Sequence, residues 1–523
     1  MKIKLAVAIL SIISTIAIFW GHTIYRNNYI FSIPILNGDK IDEIVRSKNY
    51  IGNKLDELNT SILFNGEAIP YDSNSDTYYI SQRIDDSYWV GEITTDENVI
   101  MYFYDDDLPK DKLLAINENH KYRFIVIKED SYIFGQMIVT GMPIISLTVE
   151  TQIEDEMYGK VIIYDPDSSN TGRYSIIQSN CCFHIRGYSS SIFDKKPYKI
   201  NLLDDAGHKN DISLLGMRKD DDWILNALYT DTSKIRDKLS VDLWNEINDM
   251  NEYIDASGSK MEYVEVFIDD EYMGLYGLME PIDKKQLSLT INDILYKGRT
   301  WSIPTEQEFL DAKNSFFCSS LEVKHPNTIG ETSLWDPIKN YIDTIYYAKR
   351  ADREHVSQLI EDMNCIDYFH YIQLVAGVDN TYKNTYFVAR KQENNYIVTK
   401  VPWDLNYTWG DVWINSGEYH YVAYSDEIIT EILILSDYNK LLEIDNNNIL
   451  RLSKKRWKEL RKTVFNRNKI EMKMDQYMNY LVQSGAMQRE SERWTEINNT
   501  SDLSQIKSFL EKRLIFLDEY NAS

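Results

Sequence analysis

From residue 28 to about residue 142, short strand-like runs rich in apolar and aromatic residues alternate with Asn, Asp and Gly turns. Thr77–Ile80, Val99–Phe103 and Tyr122–Val126 are three such runs. Their spacing and the turn chemistry between them predict short strands that form a small sandwich-like β-rich module over 28–142. Beyond Pro143 the strands continue as Ile144–Val149, Lys160–Tyr164, His184–Arg186 and Tyr198–Leu202. The period then changes. Ile235, Leu239, Leu243 and Ile247 recur every fourth residue, which predicts an amphipathic helix over Ser233–Ile247. Met261–Ile268 and Tyr272–Met279, joined through Asp269, Asp270 and Glu271, predict a hairpin. Thr385–Arg390 and Tyr396–Val401 predict a second strand pair. From Trp335 onward helical patterns dominate, and the charged tail Leu450–Tyr520 reads as helix. Strands first and helices later is an α+β order. It predicts a strand-rich half over 143–285 and a helical half over 286–523.

Before all this, Leu5–Trp20 forms one uncharged apolar run, preceded by Lys2 and Lys4. Phe19, Trp20, Gly21 and His22 stand where a small-x-small cleavage site would lie, and no Cys follows. An uncleaved signal anchor over 1–27 is expected, with the remaining chain outside the cytoplasm. The formal net charge of −25 argues against a nucleic-acid partner, which requires a basic footprint. It is compatible with solubility alone or with steering of a basic substrate. Cys181 and Cys182 are adjacent, and with Cys318 and Cys365 they make no C-x-x-C pair; buried thiols are expected.

Candidate chemistry concentrates in two Asp-centred blocks. The first is Val375-Ala-Gly-Val-Asp379-Asn-Thr-Tyr-Lys-Asn384 and the second is Val401-Pro-Trp-Asp404-Leu-Asn406. Phosphoryl transfer to a hydroxyl needs a carboxylate at the attacking oxygen and oxygen ligands for a divalent metal. Protein kinases supply these as D-x-x-x-x-N, a hairpin and a second Asp. Asp379, Asn384 and Asp404 have that order. A second element runs from His184 through Arg186-Gly187-Tyr-Ser189-Ser190 to Lys195-Lys196-Pro-Tyr198-Lys199. Such a loop can offer backbone N–H groups, hydroxyls and a guanidinium to phosphate, and Lys199 on the next strand could reach the phosphates; an ordinary hairpin with solvated lysines fits the same residues. A third, Leu214 to Leu225, carries Asp220, Asp221 and Asp222, which read as a solvated turn or a cation site. Arg236 opens the predicted helix, where a cation opposes the helix dipole, so a specific partner is expected. Glu246 on that helix could pair with Lys199, and Glu280 falls where a hinge would meet a base. Other chemistries find no support. H-E-x-x-H, G-x-S-x-G and a Walker A loop are absent, and Asp165 to Asn170 lacks the Gly and Glu of a calcium loop.

In this order the blocks resemble the spore-coat protein H (CotH) kinase family, over about residues 143–415. The resemblance rests on Arg-Gly-x-Ser-Ser with Lys-Lys-Pro-Tyr-Lys-Ile, Leu-Leu-Gly-Met with Asp-Trp-Ile-Leu, and Ile235-Arg236. It continues through Val-Glu-Val-Phe-Ile-Asp-Asp-Glu-Tyr-Met-Gly-Leu-Tyr, the Asp379/Asn384 block and Pro-Trp-Asp. It implies a divergent two-lobed protein-kinase-like fold. It also implies an atypical kinase using ATP and Mg²⁺ or Mn²⁺ on Ser/Thr hydroxyls of surface or spore-coat proteins. By position, Asp379 is implied as the catalytic base and Asn384 and Asp404 as metal ligands. Lys199, Arg186, Gly187 and Ser189 are implied around the phosphates. The family usually reads Trp-Asp-x-Asp, and here the second acid is Asn406. A catalytically weak pseudokinase serving as a surface structural or adhesion protein is the alternative this departure raises.

Overall fold

The structure is a computed structural model that describes residues 29–84, 91–107, 116, 119–168, 173–187, 190–251, 255–328, 333–349, 352–413, 419–421 and 436–522. The apolar run Leu5–Trp20 and Ser189 lie outside the described residues. Among those described, no helix is long and apolar enough to cross a membrane. The chain is mixed α+β, with a β-rich N-terminal region and a helical C-terminus.

The first region holds an eight-stranded sheet and a three-stranded sheet. The long antiparallel pair Lys121–Lys128 and Ser131–Thr140 lies at its centre. Alternate residues of that pair, Tyr122, Phe124, Val126, Ile133, Met137 and Val139, enter one core, as period-two patterning requires.

Seven strands between residues 144 and 279 then close into a barrel. Their sequence order is Ile144–Ile153, Glu156–Ser168, Arg173–Ile185, Tyr198–Leu203, Asp222–Asn226, Met261–Ile268 and Glu271–Met279. Neighbours are antiparallel except where Ile144–Ile153 meets Met261–Ile268 in parallel. An odd number of strands cannot alternate around a closed ring, so one parallel seam is unavoidable. Phe183, Ile200, Trp223, Val264 and Tyr276 fill the barrel.

The Arg236–Asn248 helix follows the fifth strand of the barrel. Arg236 does carry a specific partner: its guanidinium pairs with buried Asp231, which also accepts the Arg236 N–H at 2.8 Å. A buried anion thus answers the cation that the helix dipole disfavours. The acidic run is not a solvated turn. Asp220 and Asp221 are buried, and Lys285 donates to Asp211, Asp220 and Asp221 at 2.8, 2.6 and 2.8 Å. A lysine already occupies the place a cation would take.

In the C-terminal half a five-stranded sheet contains Ile294–Gly298, Leu321–His325, Thr385–Lys391 and Tyr396–Pro402. Beside it the Asp362–Val375 helix is buried along almost its whole length. A helix buried on all sides must be enclosed by others, and here Ser436–Lys462 and Ser504–Ala522 pack on it. It stops at Ala376, which takes a left-handed φ of 54°. That reversal delivers the chain into the turn bearing Asp379.

Candidate active site

The strand pair Thr385–Lys391 and Tyr396–Pro402 decides the geometry. Its register sets Thr385 opposite Pro402, so Asn384 and Trp403 face each other at the open end. The Trp403 N–H donates to the Asn384 carbonyl at 2.9 Å. Two blocks twenty residues apart in sequence are thereby fastened together. Asn384 and Asp404 both adopt left-handed backbone, φ 54° and 60°. Asn and Asp tolerate this region better than other non-glycine residues. Each turns the chain sharply out of the sheet.

Asn380 completes the fastening. It is fully buried, and its Nδ2 donates to the carbonyls of Asn384 at 3.1 Å and Trp403 at 2.7 Å. Its own carbonyl accepts from the Tyr368 hydroxyl at 2.7 Å. Asp379, one residue earlier, lies in a short 3₁₀ turn, where Lys383 donates to its Oδ2 at 2.8 Å. The Lys383 ammonium also lies 4.1 Å from the centroid of the exposed Trp301 ring. The Asn384 side-chain amide makes no hydrogen bond among the described residues and is free for a ligand.

Asp404 is open to solvent, yet enough protein lies close by to desolvate its carboxylate. Desolvation pushes its pKa up; Lys297 and Arg186 pull it down, Asp379 raises it again and Lys383 lowers it. These groups therefore share one electrostatic site. Arg186 comes from the barrel, at the end of the Arg173–Ile185 strand, and Lys297 comes from the Ile294–Gly298 strand of the other half. The Arg186 guanidinium and the Lys297 ammonium each lie 5.8 Å from the centroid of the Trp403 ring. Lys297 also lies 5.7 Å from the Tyr386 ring centroid. Burial and the nearby Arg186 push the Lys297 pKa down to about 8, against the pull of Asp404. Gly187, next to Arg186, has φ 90°, and a Cβ there would meet Ser190 Oγ at 2.1 Å. The tight loop start needs glycine.

Behind Asp404, buried Asp237 accepts from the Leu405 N–H at 2.9 Å and from Asn226 Nδ2 at 2.7 Å. Desolvation, then the Asp404 charge, pushes its pKa up to about 7.

The structure thus brings Asp379, Asn384, Asp404 and Arg186 near one another, with Gly187 next to Arg186. It leaves four other candidates elsewhere. Lys199 projects from the outer barrel wall and pairs with Asp222 at 3.2 Å. Glu246 does not pair with Lys199; it meets Lys473 at 2.5 Å, because its side of the helix faces the C-terminal helices. Glu280 is buried and accepts the Arg218 N–H at 2.8 Å, so its carboxylate is spent on a loop. Asn406 donates to Thr230 Oγ1 at 2.8 Å. Lys195, beside the phosphate-loop candidates, is fully buried against Glu490 at 2.6 Å.

Asn380, Asp237 and Lys297 were not among the sequence candidates. Asn380 sits inside the first block, where a buried carboxamide has no local signature. Asp237 reads as an ordinary first-turn helix acid. Lys297 lies in a strand whose partners come from distant sequence.

Asp404 and Asn384 offer hard oxygen donors, which suit Mg²⁺ or Mn²⁺ rather than softer metals. The uncommitted Asn384 amide and the solvent-open Asp404 carboxylate fit such an ion. No curated protein matches this chain. A family model described as CotH kinase protein matches residues 183–517.

Proposed function

The chain belongs to the CotH kinase protein family, and from that premise we propose that it transfers phosphate from ATP to Ser/Thr hydroxyls of surface or spore-coat proteins. The observation that carries this reading is the register of the Thr385–Lys391/Tyr396–Pro402 hairpin. It sets an Asp–x₄–Asn turn and an Asp beyond the hairpin around one cleft, the order that phosphoryl transfer to a hydroxyl uses.

In this reading Asp379 accepts the proton of the acceptor hydroxyl, and the 2.8 Å contact from Lys383 fixes the direction of its carboxylate. Asp404 and Asn384 hold the divalent metal, which supplies positive charge to the phosphates. Arg186 approaches the phosphates from the barrel half. The barrel and the helical half act as the two lobes of a kinase-like fold, and the apolar run Leu5–Trp20 anchors the enzyme at the outer face of a membrane.

One feature favours a second reading, a catalytically silent surface or coat scaffold. Asn406 stands where the family usually has an acid, and its amide is engaged by Thr230. One experiment separates the two. Full-length protein in detergent is incubated with labelled ATP and Mg²⁺ or Mn²⁺, beside Asp404→Ala and Asp379→Asn. Label on itself or on a Ser-rich acceptor, lost in both variants, supports the kinase. ATP binding without transfer supports the scaffold.

A further inference from the structure

Among the described residues, several buried cations are answered by acids. Lys195 has Glu490, Lys400 has Asp437, Arg456 has Asp367 and Arg489 has Glu265. Arg186 and Lys297, both half-buried, are not paired in this way. Among the described residues neither forms an ion pair, yet both crowd the same Trp403 ring at 5.8 Å. Each is felt electrostatically by Asp404. Two like charges held beside one ring repel one another; Asp404 and Glu322 pull on Lys297, but Glu322 is already paired with Lys324 at 3.0 Å, and one Asp404 carboxylate cannot balance both cations. The arrangement becomes favourable when a multiply charged anion bridges them. The two cations also come from different halves, so such an anion would draw the barrel and the C-terminal sheet together. Lys199 is in the opposite state, with its charge already answered by Asp222 on the barrel wall.

We propose that Lys297, together with Arg186, is the polyphosphate clamp of the cleft, and that Lys199 is not part of it. The ligand class is a linear polyphosphate, whether the tail of a nucleoside triphosphate or an inorganic chain. The nucleotide form rests on the phosphotransferase reading; the clamp itself requires only phosphate.

The test measures binding of MgATP and of inorganic tripolyphosphate to the full-length protein by calorimetry. Wild type is compared with Lys297→Met, Lys297→Arg, Arg186→Gln and Lys199→Met. Lys297→Met should weaken both ligands by about tenfold or more, the usual effect of losing one charge-assisted contact. Lys297→Arg keeps the charge and should recover part of the affinity, which a merely structural role would not predict. Thermal unfolding of each variant checks that the fold is retained. Binding unchanged in Lys297→Met, or lost in Lys199→Met instead, would overturn the clamp. Tripolyphosphate held through Lys297 without any ATP turnover would keep the clamp and remove the kinase reading. Phosphate transfer with Lys297→Met binding normally would do the reverse. A wild type that binds neither ligand removes both.

Discussion

The Asp237 carboxylate accepts the backbone N–H of Leu405 at 2.9 Å. This single bond ties the start of the Arg236–Asn248 helix to the peptide that follows Asp404. The other Asp237 oxygen accepts from Asn226 at the end of a barrel strand. The segment that carries Asp404 is therefore held from the barrel side. Asp237→Ala leaves the Leu405 N–H buried without an acceptor, a cost of about 1–3 kcal/mol. It should raise the Mg²⁺ concentration for half-maximal activity about tenfold. Asp237→Asn keeps an acceptor for Leu405 and should recover most of that loss. A metal titration of activity checks the order wild type, Asn, Ala; identical titrations for all three would show that Asp404 is positioned without Asp237.

Asn380 does for the two blocks what Asp237 does for Asp404 alone. Asn380→Ala removes both clamping bonds; the Asn384 carbonyl keeps the Trp403 N–H, while the Trp403 carbonyl loses its Asn380 donor. The expected loss of stability in urea is about 2–4 kcal/mol, with activity lost in parallel. Asn380→Asp should cost at least as much, because acceptors would then face acceptors. A variant as stable as wild type would contradict the role given to this side chain.

Arg489 joins three parts of the chain. It donates to Glu265 of the barrel at 2.7 and 2.9 Å, and to Asn119 and Thr140 of the N-terminal region at 2.8 and 2.6 Å. Arg489→Met strands a buried carboxylate and should cost about 3–5 kcal/mol. Adding Glu265→Gln removes the stranded charge and should restore part of it. Urea unfolding of the single and double variants measures the difference; full additivity would show that the two groups do not act as a pair.

His370 supplies a pH dependence. It is buried between Phe369 and Trp457, with Nε2 against the Ser453 carbonyl at 3.1 Å. Burial pushes its pKa down to about 4; the Ser453 bond raises it somewhat and Arg456 lowers it. The folded state thus favours neutral imidazole, while the unfolded chain takes up a proton near the ordinary value of 6.5. Between these values the unfolded state binds more protons, so this contribution is full above about pH 6.5 and shrinks as pH falls toward 4. His370→Gln should flatten that part of the acid limb in melting temperatures measured from pH 7 to 4. An unchanged slope would assign the acid sensitivity to other groups.

Much of the local structure is readable along the chain. The predicted hairpins appear as Met261–Ile268 with Glu271–Met279 and as Thr385–Lys391 with Tyr396–Pro402, and the predicted helix appears as Arg236–Asn248. Each rests on periodicity and turn chemistry within a few tens of residues. Asp379, Asn384 and Asp404 stand out along the chain for the same reason, since one short hairpin joins them. The expected pairing of Lys199 with Glu246 had no such local support. Strand alternation says only that Lys199 faces away from the barrel core, not what stands outside it. The answer is Asp222, supplied by the neighbouring strand's register.

By itself, then, the sequence determined the strand and helix segments, the α+β order and the two Asp-centred blocks, because these depend on side-chain period and on contacts close along the chain. Tertiary structure alone decided that the barrel closes through a parallel seam between Ile144–Ile153 and Met261–Ile268. It alone placed Lys297 beside Arg186 and Asp237 behind Asp404. Those relationships join segments about a hundred residues or more apart. They follow from register and packing among whole sheets and helices, which leave no periodic trace at any one position.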